Sequence, residues 1–109
     1  MPYDEKLDQR IRAVVNDWPN TEAKNMFGGV CHLMNGNMLG GVYKEFLILR
    51  LGPKTAAAAL AENGALPFDI TGRPMKGWVM MPPAVIEDNA ALTAWLEKAR
   101  AFVKTLPGK

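Results

Sequence analysis

Apolar positions at the start of the chain follow a helical period. Five apolar residues recur three or four positions apart, namely Leu7, Ile11, Val14, Val15 and Trp18. This spacing puts them on one face of a helix, which the pattern predicts from about residue 4 to residue 18. Asp4 can cap the N-terminus of this helix. Pro19 disfavours helical backbone in the residue before it, so the helix should end there.

From residue 21 to residue 51 the helical period gives way to short apolar runs divided by glycines and turn residues. The pattern predicts four strands, near residues 22–27, 30–34, 38–43 and 46–51. Asn35-Gly36 is a strong hairpin-turn dipeptide, and the other connections are also short, so neighbouring strands should be antiparallel. The fourth run is almost continuously apolar, which is typical of a central strand that is covered on both faces.

The second half of the chain predicts two helices and one strand. Gly52-Pro53 ends the fourth strand, and the alanine-rich residues 55–62 favour a short helix. Residues 78–81 form a short strand, and Asp88 can cap a final helix. The apolar face of that helix carries Leu92, Trp95, Leu96, Ala99, Phe102, Val103 and Leu106. The predicted order, α-β-β-β-β-α-β-α, indicates an α+β fold, an antiparallel sheet with flanking helices.

Composition and charge narrow the class of protein. The chain has 109 residues, of which 49% are hydrophobic and 22% are charged, as expected for one globular domain over residues 1–109. The net charge is +2 and the charges are interleaved, which argues against direct binding of nucleic acid. No apolar run approaches the ~20 residues of a membrane-spanning helix, and no secretory signal is visible. With one cysteine, the chain is expected to be cytoplasmic.

Residues that could carry chemistry are few. Cys31 and His32 are adjacent on a predicted strand, so their side chains should point to opposite faces and cannot work as a pair. We expect a buried Cys31 and a surface or half-buried His32. Two such residues are too few for a structural zinc site, and the glycine-rich stretches do not open a helix as phosphate loops do. No catalytic pair, metal or cofactor is therefore predicted.

The most specific stretch is a loop of about residues 65–77, which combines charges with prolines and glycines. Candidate binding residues are Asp69, Arg73 and Lys76 in this loop and Phe27, Gly28 and Gly29 in an earlier turn. The two cations could hold an anionic group or a partner. Alternatively, Arg73 could pair with Asp69 and simply hold the loop. We favour a structural Arg73, with Lys76 facing solvent and available to a partner.

Five segments together resemble the TfoX/Sxy N-terminal domain family. They are residues 24–30 (KNMFGGV), 35–38 (NGNM), 49–53 (LRLGP), 67–79 (PFDITGRPMKGWV) and 95–99 (WLEKA). The resemblance implies an α+β domain that occurs alone or ahead of a helical C-terminal domain in competence regulators. Those regulators act with the cyclic-AMP receptor protein to switch on DNA-uptake genes. We expect this chain to lack the second domain.

Two kinds of function follow from these observations. The family resemblance implies no catalytic residues, and it favours a non-enzymatic regulatory domain whose partner is another protein. The alternative is a small-ligand binder or enzyme that uses Asp69, Arg73 and Lys76 to hold an anionic group. The sequence leaves the identity of the partner and the oligomeric state open.

Overall fold

The computed structural model describes residues 3–26, 29–62, 64–68 and 77–107. Within these residues the chain forms three α-helices and one six-stranded sheet. The helices are α1 (Glu5–Val15), α2 (Pro53–Glu62) and α3 (Asn89–Val103). The strands are β1 (Thr21–Met26), β2 (Gly29–Met34), β3 (Asn37–Tyr43), β4 (Phe46–Arg50), β5 (Leu66–Pro67) and β6 (Trp78–Met81). The predicted α+β class and element order are confirmed, and the two-residue β5 is an addition.

The sheet is antiparallel throughout, with the strand order β1-β2-β3-β4-β6-β5. Its first four strands form a meander in which each strand pairs with the next. Asn35 and Gly36 join β2 to β3 with φ angles of 53° and 81°. Positive φ at both central residues matches the twist of a two-residue hairpin, so the predicted Asn35-Gly36 turn is confirmed.

The main core lies between the helices and one face of the sheet. All three helices contribute to it, and the sheet supplies Val30, Met34, Leu39, Val42, Leu47, Leu49, Val79 and Met81. From α3 the core takes Leu92, Leu96, Ala99 and Val103. Ile48 faces the other side of the sheet and is also buried, so the central β4 is covered on both faces, as its apolar run predicts.

The first helix confirms its predicted cap and ends earlier than predicted. The Asp4 carboxylate accepts hydrogen bonds from the backbone N–H groups of Lys6 and Leu7, at 3.0 and 3.1 Å. Such bonds satisfy donors that the first turn of a helix leaves free. The helix ends at Val15 rather than near Trp18, which is partly buried against the core.

Two expectations for α3 need correction. Asp88 occupies the N-cap position, but its side chain makes no capping hydrogen bond. Trp95 and Phe102 are only partly buried, and Leu106 lies beyond the end of the helix. The helical period was right, but the wide face that it defines is buried only along its centre.

Among the described residues, no helix combines the length and the apolar character needed to cross a membrane.

Candidate functional site

Most of the residues predicted to bind a partner lie outside the described residues. This applies to Phe27 and Gly28 and to the three charged residues Asp69, Arg73 and Lys76. The structure does describe the residues on either side of segment 69–76, namely Phe68 before it and Gly77 after it. We call these two flanking residues, Phe68 and Gly77, the frame of the predicted loop.

Both ends of this frame are tied to the body of the protein. Phe68 is 2% exposed, and the centroid of its ring lies 5.7 Å from that of Trp78 on β6. The carbonyl oxygen of Gly77 accepts hydrogen bonds from the backbone N–H groups of Leu51 and Gly52, at 2.8 and 3.1 Å. The chain thus leaves and rejoins the sheet at fixed points, close to where β4 leads into α2.

A cation that the sequence analysis did not single out lies beside this frame. Arg50, the last residue of β4, pairs with Trp78 across the strands. Its guanidinium carbon is 5.5 Å from the centroid of the Trp78 ring and 6.0 Å from that of Phe102 on α3. Aromatic faces attract a guanidinium, so the two rings hold a positive charge close to Gly77, which is hydrogen-bonded to the residue after Arg50. The sequence feature that could have pointed to Arg50 is its position at the end of an apolar strand, shortly before Gly52-Pro53.

The structure places Gly29 inside the sheet, where packing accounts for its lack of a side chain. A Cβ atom at Gly29 would lie 2.0 Å from the carbonyl oxygen of Val42 on β3. The reverse holds for Gly41, whose Cβ would lie 2.0 Å from the carbonyl oxygen of Val30. No side chain fits at such a distance, so these two glycines allow β2 and β3 to approach closely. The binding role predicted for Gly29 stays a prediction.

A buried polar cluster joins α1 to the sheet. His32 on β2 is 2% exposed, and its Nε2 atom lies 2.8 Å from Oδ1 of Asp8. The other carboxylate oxygen of Asp8 accepts a hydrogen bond of 2.6 Å from Nε of Arg12, one helical turn later. The expected surface or half-buried position of His32 was therefore wrong, because an acid on α1 covers it. Asp8 could have been recognised, since it precedes Ile11 and Val15 by the spacing of the buried face.

The electrostatics of this cluster favour a neutral histidine. Burial lowers the pKa of His32 below its ordinary value, although the hydrogen bond and the charge of Asp8 oppose this shift. A neutral imidazole can donate its Nε2 proton to Asp8 and so satisfy both groups. The Arg12 side chain is 45% exposed, so the ion pair reaches from the interior to solvent. The arrangement links a helix to a strand without an adjoining nucleophile among the described residues.

Cys31 does not join this cluster. Cys31 pairs with Gly41 and His32 with Gly40 across β2 and β3, so the two side chains leave the strand on alternate faces. The Cys31 thiol is buried, as predicted, and this burial raises its pKa to about 11. A thiol with so high a pKa stays protonated and is a poor nucleophile.

A surface groove of about 290 Å³ lies between the start of α1 and the 3₁₀ turn Pro83–Val85. Its charged lining combines two cations with three acids, namely Lys6, Arg10, Asp4, Glu45 and Glu87. Arg10 donates hydrogen bonds to the Ile86 and Glu87 carbonyls and to the Asn89 side chain. This arginine therefore joins α1 to the start of α3.

In the described part of the chain, no group of three or more His, Cys, Asp or Glu residues could hold a metal ion.

Within the described residues, this geometry defines the class of protein as a small α+β domain in which helices pack on one face of an antiparallel sheet. The family is shown directly by sequence. Residues 13–103 match the TfoX N-terminal domain, and the chain belongs to that family. No curated protein and no solved structure matched the chain.

Proposed function

We propose that this chain is a non-enzymatic regulatory domain of the bacterial cytoplasm that binds another protein through the loop of residues 69–76. In this proposal it acts like the N-terminal domain of competence regulators. Membership of the TfoX N-terminal domain family supports a role of this kind. Burial of the one free thiol, Cys31, is compatible with a reducing compartment.

The observation that carries the proposal is the fixed frame of the loop. Phe68 is buried at one end, and the Gly77 carbonyl accepts two backbone hydrogen bonds at the other. Binding residues are often carried by loops that a rigid scaffold positions, because the scaffold lowers the entropy lost on binding. Arg50, held between Trp78 and Phe102, adds a positive charge beside this frame.

Within the loop we assign different roles to the two cations. Arg73 holds the segment by pairing with Asp69 or a nearby carbonyl, because its planar group can form two parallel hydrogen bonds. Lys76 contacts the partner. Because Lys76 and Arg50 are both positively charged, the matching surface of the partner should be acidic.

Paired stability and binding measurements test this division. Lys76→Ala should leave the free energy of unfolding within about 0.5 kcal/mol of wild type, as surface changes usually do. It should nevertheless abolish capture of the partner in a pull-down from the native cell. Arg73→Ala should lower stability by about 1 to 3 kcal/mol and lose the partner only through unfolding. Lys6→Ala, which removes an exposed lysine on α1, is the control and should change neither quantity.

Two results would count against the proposal. A stable Arg73→Ala protein that no longer captures the partner would refute the structural role of Arg73. The second result would favour the alternative function, which is an anion-binding site. In that case inorganic phosphate would raise the melting temperature of wild type but not of Lys76→Ala, and no protein would be captured specifically.

A further inference from the structure

The longer free edge of the sheet is β1. This strand is six residues long, and within the described residues it pairs on one side only, with β2. The opposite edge, β5, has two residues. Residues 22–25 of β1 are exposed to solvent. An exposed edge strand carries unpaired backbone donors and acceptors, which can pair with a further strand.

The hydrogen bonds at the end of the β1–β2 hairpin identify which residues carry these free groups. The backbone N–H of Asn35 donates to the carbonyl of Asn20 at 3.0 Å. In an antiparallel pair, hydrogen-bonded and non-hydrogen-bonded positions alternate. Glu22, opposite Leu33, is therefore bonded to β2, as is Lys24 two residues later. The N–H and C=O groups of Thr21, Ala23 and Asn25 point outward.

The charges on β1 suit a second copy of the same strand. Glu22 and Lys24 lie on the face of the sheet opposite the helices, since their cross-strand neighbours are Leu33 and Cys31. Their side chains are 57% and 58% exposed, and Lys24 Nζ is 3.8 Å from a carboxylate oxygen of Glu22. In an antiparallel pair of two β1 strands centred on Ala23, each Glu22 would lie opposite the Lys24 of the other copy.

The same centre also satisfies the backbone. With Ala23 opposite Ala23 of the second copy, the outward groups of all three residues face one another as hydrogen-bonded pairs. Thr21 then lies opposite Asn25, and two polar side chains meet there. A shift of the centre by two residues would remove the match between Glu22 and Lys24. The hydrogen-bond alternation is compatible with a two-fold axis through any residue of β1. The charge pattern then selects the axis through Ala23, because only that axis places Glu22 opposite Lys24 of the second copy.

We propose that β1 is a self-association edge, through which two copies of this chain pair antiparallel about Ala23. The pairing joins two six-stranded sheets into one continuous sheet, with the helices of both copies on the same side. A lysine on an edge strand commonly prevents unwanted pairing. Here a second copy of β1 matches that lysine with a glutamate, whereas strands without this pattern are repelled or left unmatched. The proposal does not depend on the loop of residues 69–76.

Charge reversal provides the first test. Sedimentation equilibrium of the full chain, from about 1 µM to 1 mM, should show wild type as a concentration-dependent dimer. E22K leaves lysine at both position 22 and position 24, and K24E leaves glutamate at both. Like charges would then face each other across the two strands, so each variant should weaken self-association by about tenfold or more. A mixture of the two variants should form a heterodimer, and the double variant E22K/K24E should recover the wild-type dimer. A wild type that stays monomeric throughout would overturn the proposal.

A proline substitution tests the backbone pairing separately. The N–H of Ala23 points away from β2, so Ala23→Pro removes an outward donor, and edge strands tolerate proline there. We expect a folded monomer by circular dichroism and sedimentation. Lys24→Pro is the matched control, because it removes a donor to β2 and should destabilise the hairpin itself. A dimer that persists in Ala23→Pro, together with no heterodimer in the mixing experiment, would show that copies associate elsewhere.

Discussion

Asp8 on α1 and His32 on β2 are 24 residues apart in the chain, yet their side chains meet at 2.8 Å in the interior. Because both are buried, each satisfies a polar group that would otherwise lack a partner. The contact holds the first helix in register against the sheet. It is also the point at which the stability of the fold should respond to substitution and to pH.

Removing the Asp8 carboxylate should lower the stability of the fold. Asp8→Ala leaves the buried Nε2–H of His32 without an acceptor, and we expect a loss of about 1 to 3 kcal/mol in the free energy of unfolding. Arg12→Ala removes a partner that is 45% exposed and should cost less than about 1 kcal/mol. Urea denaturation of the two variants measures the difference. Equal effects would mean that the exposed ion pair, rather than the buried hydrogen bond, provides the stabilisation.

Stability should fall as the solution becomes acidic. His32 is the one histidine of the chain, and burial lowers its pKa in the folded protein below the ordinary value of 6.5. Below that value the unfolded chain takes up a proton that the folded protein resists, so the free energy of unfolding decreases by at most about 1.4 kcal/mol per pH unit. Urea melts between about pH 7.5 and pH 5 measure the slope.

His32→Gln is the control for this titration. The glutamine amide can still donate a hydrogen bond to Asp8, but it does not titrate. Its melts should therefore depend less on pH than those of wild type over the same range. If stability instead rises as the pH falls, the Asp8 carboxylate holds a proton on His32 in the folded state, and the neutral assignment is wrong.

Leu96 and Trp95 are neighbours on α3. We expect truncation of the smaller side chain, Leu96, to cost more stability than truncation of Trp95. Leu96 is buried in the core, and Leu96→Ala should cost about 2 to 5 kcal/mol through the cavity that it leaves. Trp95 is only partly buried, and the Lys98 ammonium lies 5.2 Å from the centroid of its ring. Trp95→Ala should consequently cost less than Leu96→Ala, although a buried tryptophan would cost about 3 to 5 kcal/mol. Thermal melts of both variants decide the order.

The close contact between β2 and β3 should not tolerate a methyl group. A Cβ at Gly41 would lie 2.0 Å from the Val30 carbonyl oxygen, and backbone atoms of paired strands cannot move aside cheaply. We expect Gly41→Ala to destabilise the protein by about 1 to 3 kcal/mol or more. Ala58→Ser on the exposed side of α2 is the control and should stay within about 0.5 kcal/mol of wild type. A Gly41→Ala protein as stable as this control would contradict the packing described.

The thiol of Cys31 should react slowly in the folded protein. Burial raises its pKa to about 11, so only ~0.1% would be thiolate at pH 8 even if the reagent could reach it. A chromogenic disulfide reagent should therefore titrate close to no thiol in native buffer and one thiol per chain in guanidinium chloride. Rapid reaction of the native protein would show that the strand face carrying Cys31 is open.

Local rules explain what could be predicted from sequence. The Asp4 cap and the Asn35-Gly36 turn each depend on a few adjacent residues, so their signals are visible in the chain itself. The pairing of β4 with β6 could not be read in this way, because α2 and β5 come between these strands in the sequence. The burial of His32 was missed for the same reason, since its partner lies on α1. The charged loop was predicted from composition, and its residues 69–76 lie outside the described residues. The position of Gly77 beside it depends on a tertiary contact with Leu51, which the sequence does not show.

Arg10 bonds to residues that lie 76 to 79 positions further along the chain, and Asn37 reaches Pro107 across 70 positions. A ribosome releases α1 first and the four-stranded meander next, and the hairpins of the meander can close as they emerge. The bonds of Arg10 can form only after residues 86–89 have been made, so α1 cannot reach all of its final contacts until synthesis is well advanced. The part of the protein that is made first is therefore among the last to be fixed in place.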